Sequence, residues 1–414
     1  MSRRRLNVLS RDFFPAYVVW ELTLRCDHAC THCGSRAGVA RPDELSTTEA
    51  LEVVQQLATA GAREVVLIGG EAYLHDGFLE VVAALSAAGI HPTLTTGGRG
   101  VDASLARAMR AAGLRQVSVS VDGSRDTHDR MRNLHGSFDL ATGALTACRE
   151  AHILVTANTN INRLNQGDLE ALYGVLRGHG IRAWQLQLTA PLGRAADRTE
   201  LILQPWELLD LLPRVAELKR RAFTHGITIL PGNNLGYFGK EEALLRSPSP
   251  AGEDHWAGCQ AGRYVLGIES DGAVKGCPSL QTQHYVGGNL RERPLQQIWD
   301  QAPELAFARD RGVDALWGYC RECVFAETCL GGCSFTAHAL LGKPGNNPYC
   351  HFRAAQFQKR GLRERLVSAQ AAPAQPFDNG RFDLVVEAFN APLPQPLPAA
   401  ELVQITRRPA RSVG

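Results

Sequence analysis

No stretch of this 414-residue sequence approaches the ~20 consecutive apolar residues of a membrane span, and this lack predicts a protein without transmembrane helices. The sequence also lacks an excess of charge of either sign, because 44 Lys and Arg stand against 42 Asp and Glu, a formal net charge of +2. Such a balance gives no electrostatic footprint for nucleic acid or for an anionic membrane, so neither is expected as a partner.

A secretory signal is also missing. The segment from Met1 to Phe14 carries arginines at positions 3, 4, 5 and 11 but no continuous apolar core, so we expect a cytoplasmic protein. Eleven cysteines in a secreted chain would suggest disulfides, yet here the number is odd and ten of them fall into tight groups. Ligation of a metal or a cluster explains them better than disulfide bonding.

Strand-like apolar runs alternate with helix-like segments over the first half of the chain. The candidate strands are Tyr17 to Leu24, Glu64 to Ile68, His91 to Thr95, Gln116 to Val121, Leu154 to Asn158 and Ala183 to Leu188. Strands separated by helices predict parallel β/α units, and these six units predict an α/β fold with a partial (β/α)6 barrel of the TIM type. In such a barrel the active site lies at the carboxyl ends of the strands.

Local signals divide the chain further. Ser46 with Glu49 forms a capping-box pattern at the first helix, and Gly61 stands where that helix should end. We expect an N-terminal arm (1–16), the barrel (17–230), a Gly-, Pro-, Asn- and Ser-rich linker (231–258), a cysteine-rich domain (259–352), and a C-terminal helix with a proline-rich tail (353–414). From about Ser368 onward, only Phe382 to Val386 has a strand pattern, so much of the tail is expected to be extended or weakly ordered.

Cys26, Cys30 and Cys33 follow the first predicted strand, with three and then two residues between them. Three thiolates on one loop can hold three irons of a four-iron cluster and leave the fourth iron open to a ligand that is not protein. An iron with an open position can bind and activate a small molecule. Because the loop follows a strand, it also lies on the expected active-site face.

Polar residues end the next strands. In Gly69-Gly70-Glu71-Ala72 the glycines let a ligand approach the backbone, and Glu71 could accept hydrogen bonds from an ammonium group. The alternative is a strand-to-helix turn with a solvated glutamate. Stretches that contain Thr95, Ser120 and Asn158 offer hydroxyls and amides suited to a ribose and a carboxylate, although each also suits the start of a turn.

A second group of seven cysteines lies in the other half of the chain. They are Cys259, Cys277, Cys320, Cys323, Cys329, Cys333 and Cys350. Tyr264 to Gly276 has the pattern of a β-hairpin that turns at Asp271-Gly272 and would bring its two flanking cysteines together. Seven thiols cannot fill two four-ligand sites, so one site keeps an open or non-cysteine position. Zinc is the alternative occupant, because paired CxxC motifs often bind it.

The CxxxCxxC spacing, with the ring of His32 before its last cysteine, resembles the signature of the radical S-adenosylmethionine (radical SAM) superfamily. The Gly-Gly-Glu stretch resembles the GGEP motif of that family, with Ala72 in place of proline. The pattern CX12GX4C, CX2CX5CX3C, C resembles the SPASM extension that follows radical SAM barrels. Taken together, the resemblance covers about residues 17–352.

This resemblance implies a [4Fe-4S] cluster on the first three cysteines, S-adenosylmethionine bound to its open iron, and two auxiliary [4Fe-4S] clusters. The implied contacts to S-adenosylmethionine are His32, Gly69, Gly70, Glu71, Thr95, Ser120 and Asn158. The implied ligands of one auxiliary cluster are Cys320, Cys323, Cys329 and Cys350. The implied ligands of the other, nearer the barrel, are Cys259, Cys277 and Cys333, and one of its irons lacks an identified cysteine.

The activity implied by the resemblance is reductive cleavage of S-adenosylmethionine, followed by hydrogen abstraction by the 5′-deoxyadenosyl radical. Members with this extension most often modify peptides, so we expect a peptide substrate and a net oxidation, namely a crosslink, a dehydrogenation or a decarboxylation. Pro278 argues against sulfatase maturation, because those members carry an Asp there as base. A small molecule such as a sugar, nucleoside or tetrapyrrole is the alternative substrate, and a zinc-stabilised binding scaffold is the alternative outside the enzymes.

The same resemblance implies a reductant such as a flavodoxin or ferredoxin. Only about sixteen residues precede the first strand, so a peptide substrate would need a separate recognition protein or another surface. Cys148 stands apart in the helix-like stretch Phe138 to Ala151; some radical enzymes use a lone thiol as hydrogen donor, but a buried helical cysteine is far more often core. His128 beside Asp129 is expected in a solvated loop rather than in an acid/base pair.

Overall fold

A computed structural model describes residues 13–392; residues 1–12 of the expected arm and 393–414 of the expected tail lie outside the described residues. Its strands are β1 (Tyr17–Thr23), β2 (Glu64–Gly69), β3 (His91–Thr96), β4 (Gln116–Ser120), β5 (Leu154–Ile161), β6 (Ala183–Leu188), β7 (Thr228–Pro231), β8 (Val265–Ile268), β9 (Ala273–Lys275), β10 (Val286–Asn289), β11 (Leu362–Gln370) and β12 (Arg381–Ala388). Its helices are α1 (Thr47–Thr59), α2 (Phe78–Ala87), α3 (Ala103–Ala111), α4 (Arg125–Arg132), α5 (Ser137–Glu150), α6 (Leu169–Gly178), α7 (Leu208–Thr224), α8 (Glu242–Arg246), α9 (Thr282–Tyr285), α10 (Leu295–Gln301), α11 (Pro303–Ala306), α12 (Ala326–Cys329), α13 (Ser334–Leu341) and α14 (His351–Lys359).

Ten of these strands form one mostly parallel sheet. Its order is β10-β9-β8-β1-β2-β3-β4-β5-β6-β7, so the barrel strands neighbour one another in chain order. β8 pairs parallel with β1, and β9 and β10 follow it antiparallel. The predicted α/β fold of parallel strands is confirmed, and the cysteine-rich region extends the same sheet at the edge of β1.

The two faces of the barrel strands differ in polarity because side chains alternate along a strand. On β4, Val117 and Val119 are fully buried, whereas Ser118 and Ser120 are half-buried on the opposite face. The apolar face packs against the surrounding helices and forms one continuous hydrophobic core. The polar face is left to line the interior of the partial barrel.

The helix signals are confirmed where the sequence marked them. The Ser46 hydroxyl accepts the Glu49 N–H at 3.3 Å, and the Glu49 carboxylate accepts the Ser46 N–H at 2.8 Å, which completes the capping box of α1. Gly61 follows the helix with φ of +81°, a conformation that glycine adopts without strain. These local interactions fix where the first β/α unit turns.

The segment 231–258, expected to be a linker, packs into the protein. Tyr237 and Trp256 are 1% and 5% exposed, and their rings meet edge to face at 5.1 Å. The Arg246 guanidinium lies 5.4 Å from each ring centroid. These aromatic side chains therefore anchor the segment to the protein, although residues 248–251 between them are exposed.

The described part of the expected tail, up to residue 392, contains the predicted strand. β11 and β12 form an antiparallel hairpin, and the expected strand at Phe382 to Val386 is part of β12. Arg363 and Arg365 both donate to the Glu387 carboxylate at 2.8 Å across the hairpin. These ion pairs join the two strands of the hairpin, in which there is no regular alternation of apolar and polar residues.

No helix within residues 13–392 combines the length and the apolar composition needed to cross a membrane. This agrees with the lack of apolar runs in the sequence.

Candidate active site

The CxxxCxxC loop (residues 26–33) lies directly after β1, at the carboxyl edge of the parallel sheet. The Cys26 N–H donates to Gly38 O at 3.1 Å, and the Thr31 N–H donates to Met131 O at 2.8 Å. Cys30 is buried, whereas Cys26 and Cys33 are half-buried. Backbone hydrogen bonds therefore hold the three thiols around an opening at the end of the barrel.

Two glycines at the end of β2 pack against this loop without any space for a side chain. A Cβ on Gly70 would lie 2.0 Å from Arg25 O and 2.7 Å from the Cβ of Cys26. Gly69 has φ of +157°, and a Cβ there would lie 2.1 Å from Thr23 O. The close approach that the sequence predicted for a ligand is thus also required between the strand end and the loop backbone.

Glu71 is buried beside the loop, with 3% of its surface exposed. Its carboxylate accepts the Thr96 hydroxyl at 2.5 Å and the Gly97 N–H at 2.7 Å. Burial raises the pKa of Glu71 to about 7, although these two hydrogen bonds lower it. One carboxylate oxygen lies within 4.8 Å of Cys26 Sγ. A cationic group bound in this opening would restore the charge of the carboxylate.

A buried charge network supports the loop from α4. The Arg132 guanidinium donates to Cys30 Sγ at 3.6 Å and lies 2.6 Å from the Asp122 carboxylate. His32 Nε2 lies 3.5 Å from the same carboxylate. Burial raises the pKa of Asp122, but the Arg132 charge and two neighbouring histidines lower it to about 2 overall. The carboxylate therefore stays ionised and offsets the arginine next to the thiol.

Sequence reasoning overlooked Arg132 and gave Asp122 no role. Asp122 ends a polar strand stretch that the sequence did point to, whereas nothing local marks an arginine about one hundred positions beyond Cys30. The expectation of a solvated His128 is wrong: the ring is fully buried, and its Nδ1 accepts the Asp122 N–H at 3.0 Å. It orders the network and does not face solvent.

Thr95, Ser120 and Asn158 lie on the polar face, half-buried, at the carboxyl ends of β3, β4 and β5. Ser120 and Asn158 are register partners on adjacent strands. Asn158 Oδ1 is buried and accepts no hydrogen bond within the described part of the chain. A buried acceptor of this kind fits a hydroxyl or ammonium donor from a bound molecule.

The loop of the C-terminal hairpin reaches this opening. Asp378 accepts the Arg36 guanidinium at 2.8 Å, and its backbone oxygen accepts the Gly193 N–H at 2.7 Å. Phe377 is buried next to it, with Lys275 Nζ at 4.4 Å from its ring centroid. The hairpin therefore borders the opening, which no pattern in the sequence had indicated.

Four cysteines of the second group line one apolar cavity, called site B here. They are Cys320, Cys323, Cys329 and Cys350. Phe238, Phe325 and Phe352 complete much of its wall, and the first two rings are stacked at 4.2 Å. Four thiols that line one apolar cavity can hold a four-iron cluster, and the same four ligands also fit the zinc alternative.

The other three cysteines, called site A, also come together. Cys259 and Cys277 flank the β8–β9 hairpin, which turns at Gly272 as expected, and Cys333 lies just before α13. Burial raises the pKa of Cys277 to about 12, and the neighbouring thiols of Cys259 and Cys333 raise it too. The division into three and four thiols matches the interleaving that the family resemblance implies.

Cys148 lies away from these sites. Its side chain is fully buried in the hydrophobic core with Ala144 and Leu145 on α5, between helix and sheet. Burial alone raises the pKa of this thiol to about 12. This position favours a packing role over that of a hydrogen donor.

Comparison with known families assigns the two regions. A family model described as Radical SAM superfamily matches residues 20–176, and one described as Iron-sulfur cluster-binding domain, SPASM, matches residues 259–324. The chain is a radical SAM protein with a SPASM domain. The predicted family is thereby confirmed, and it implies iron-sulfur clusters and S-adenosylmethionine, for which the thiol sites and the buried Glu71 carboxylate beside the CxxxCxxC loop are suited.

This radical SAM protein is similar to curated enzymes of two kinds. It is 28% identical over 349 residues to the AdoMet-dependent heme synthase of Methanosarcina barkeri, which covers 82% of this chain and 97% of the relative. It is 29% identical over 357 residues to the Fe-coproporphyrin III synthase of the same organism, covering 83% and 89%. It is also 28% identical over 359 residues to mycofactocin maturase MftC of Mycobacterium tuberculosis, covering 84% and 86%.

Solved structures show the same fold. Native anSMEcpe with bound AdoMet superposes with a TM-score of 0.63 at 16% identity, over 83% of this chain and 96% of that chain. Streptococcus suis SuiB bound to S-adenosylmethionine superposes with a TM-score of 0.62 at 15% identity, over 81% and 76%. At this level of identity the likeness concerns the fold of the radical SAM protein.

Proposed function

We propose that this protein cleaves S-adenosylmethionine reductively and uses the resulting radical to oxidise a side chain of a tetrapyrrole. The observation that carries the first half is the buried Glu71 carboxylate beside the CxxxCxxC loop and two glycines without space for a side chain. Relatives named for heme, Fe-coproporphyrin III and pre-heme d1 support the tetrapyrrole. They favour the small-molecule alternative over the peptide expected from the sequence.

In this proposal the chain positions the reactants. Cys26, Cys30 and Cys33 hold three irons, and Glu71 accepts the ammonium group of S-adenosylmethionine. A four-iron cluster with this molecule bound supplies one-electron cleavage to methionine and a 5′-deoxyadenosyl radical. Asn158 Oδ1 accepts a hydrogen bond from the sugar or amino group, and the polar barrel wall keeps the adenosyl carbon next to one substrate C–H bond.

Sites A and B hold two auxiliary clusters in the same proposal. Cys259, Cys277 and Cys333 would hold an auxiliary cluster that could accept the electron a substrate radical must lose for net oxidation, and a flavodoxin or ferredoxin would supply the electron for cleavage. The gathering of seven thiols into two groups supports this assignment.

A peptide substrate is the second candidate, because mycofactocin maturases are similar to this chain at 28 to 29% identity. To separate the two, anaerobic reduced protein is incubated with S-adenosylmethionine and either iron coproporphyrin III or a set of short peptides encoded beside the gene. The proposal predicts faster 5′-deoxyadenosine release and a mass loss on the tetrapyrrole only. A mass loss on a peptide, with the tetrapyrrole unchanged, would support the second candidate instead.

Replacing Glu71 with alanine is expected to weaken S-adenosylmethionine binding by roughly 10- to 150-fold, since a hydrogen bond to a charged group contributes about 1.5–3 kcal/mol. Calorimetric titration of the cluster-loaded protein under argon measures this. Glu80→Ala removes an exposed glutamate of α2 and serves as the matched control. Equal affinities for the Glu71→Ala variant and the wild type would show that the carboxylate does not hold the ligand.

Affinity for S-adenosylmethionine is expected to fall as the pH drops through the Glu71 pKa of about 7. Burial raises this pKa, so the carboxylate is ionised above pH 7 and neutral below it, and only the ionised form attracts an ammonium group. Between pH 7 and 5.5 the dissociation constant should rise by roughly 16-fold in total, the titration of one group with a pKa of about 7. Glu71→Gln should remove the dependence; a pH-independent wild type would contradict the assignment.

A further inference from the structure

Sites A and B differ in the charge that surrounds their thiols. Beside site B, the buried Arg353 guanidinium is matched by a buried carboxylate: its Nε and one terminal nitrogen each donate to Glu364 at 2.6 Å. These two side chains are 3% and 5% exposed. The pair adds no net charge to a site that already carries four thiolates.

Beside site A, a second arginine has no such partner. Arg311 donates to the Ser334 hydroxyl at 2.8 Å, and Ser334 directly follows Cys333 and is 1% exposed. Within residues 13–392, no carboxylate forms an ion pair with Arg311. The groups that interact with its guanidinium are the thiols of Cys259 and Cys333, the Tyr285 hydroxyl and the Arg263 guanidinium, and the Phe307 ring lies at 5.5 Å. Site A thus combines one thiolate fewer with positive charge that no carboxylate beside Arg311 offsets.

We propose that Arg311 raises the reduction potential of the site A cluster above that of the site B cluster, which makes site A the acceptor of the substrate electron. The inference rests on the proposed function, because it requires the two auxiliary clusters. Reduction adds one negative charge to a four-iron cluster, and net charge is one of the factors that set its potential. A fixed cation at site A stabilises the reduced form, and four thiolates at site B destabilise it.

The electron count is as follows. A substrate radical, formed when one hydrogen atom leaves, loses one further electron together with carbon dioxide from a carboxylate, or with a proton, and becomes a closed-shell product with a new double bond. The site A cluster takes that electron and passes from its 2+ to its 1+ state. In this proposal Arg311 contacts neither the substrate nor the reacting atoms. It is a positioning residue that acts on the cluster through its positive charge.

The test is a redox titration monitored by electron paramagnetic resonance on anaerobic full-length protein. In Arg311→Met, one of the three cluster transitions should shift to lower potential by at least tenfold in its reduction equilibrium, which is about 59 mV for one electron. Arg311→Lys should retain the wild-type value, because it keeps the charge. Arg125→Met, which removes an exposed arginine of α4, is the matched control and should change nothing.

Phe307→Glu is a second variant that keeps the arginine and neutralises it, and it should lower the same transition. An unchanged potential in both Arg311→Met and Phe307→Glu, at wild-type iron content, would overturn the inference. A shift of equal size in Arg311→Lys would also overturn it, since charge would not be the cause. A wild-type protein with only about four irons would instead contradict the auxiliary clusters, and hence the proposed function.

Discussion

Replacing Cys26, Cys30 and Cys33 with alanine is expected to abolish cleavage of S-adenosylmethionine and to remove about four irons per chain. The reason is geometric: the three thiols share one loop at the mouth of the barrel, and Glu71 lies beside them. Iron analysis and chromatography of 5′-deoxyadenosine under anaerobic, reducing conditions measure the two effects.

Sites A and B should keep their iron in that triple variant, because their thiols come from a different region of the sequence and none of the loop cysteines lines the site B cavity. Cys148→Ala is the control, since this core thiol contacts none of the three sites, and it should retain both iron and cleavage. Cleavage that survives in the triple variant would show that the CxxxCxxC loop is not the reactive site.

Replacing Glu364 with glutamine is expected to lower the free energy of unfolding by roughly 3–5 kcal/mol, the cost of leaving one charge of a buried pair without its partner. Arg353 is 3% exposed, so water cannot replace the lost carboxylate. Urea unfolding of the cluster-loaded protein under argon, followed by tryptophan fluorescence, measures the change.

The comparison for this variant is Asp139→Asn, which breaks an ion pair with Arg125 on the protein surface. Solvent screens that pair, so no measurable change is expected. If both variants unfolded at the same urea concentration as the wild type, the Arg353–Glu364 pair would not stabilise the site B region.

The parts of the fold that sequence could predict are those decided by local chemistry. The capping box at Ser46 and the turn at Gly272 depend on side chains within a few positions, and the structure shows both. On β4, Val117 and Val119 alternate with Ser118 and Ser120. Because side chains on a strand point alternately to opposite faces, this pattern predicts the polar face that the structure shows. The position of the CxxxCxxC loop follows from its place after a parallel strand.

The remaining parts depend on contacts between distant segments. Arg132 meets Cys30 across 102 positions, and Arg36 meets Asp378 across 342, so no local pattern reveals either pair. The segment with Tyr237 and Trp256 had the composition of a linker, yet these aromatic rings are buried. The grouping of seven cysteines into sites A and B came from family resemblance, since spacing alone permits several divisions.

The identity of the substrate likewise cannot be predicted from local sequence patterns. Polar barrel walls suit many molecules, and the peptide expectation rested on what related proteins most often modify. Curated relatives of tetrapyrrole chemistry now support the small-molecule alternative. The reactive site is the same for both substrates in this proposal, so an assay with the candidate substrates themselves is needed to distinguish them.

Transfer of deuterium from substrate to 5′-deoxyadenosine is the most direct test of whether this protein abstracts hydrogen from a tetrapyrrole. Iron coproporphyrin III deuterated on its propionate side chains is incubated with reduced, cluster-loaded protein and S-adenosylmethionine, and the released 5′-deoxyadenosine is examined by mass spectrometry. We expect one deuterium per 5′-deoxyadenosine, and we expect 5′-deoxyadenosine to be released faster than in the absence of the tetrapyrrole. Unlabelled 5′-deoxyadenosine at an unchanged rate, or a colourless zinc protein that releases none, would contradict it.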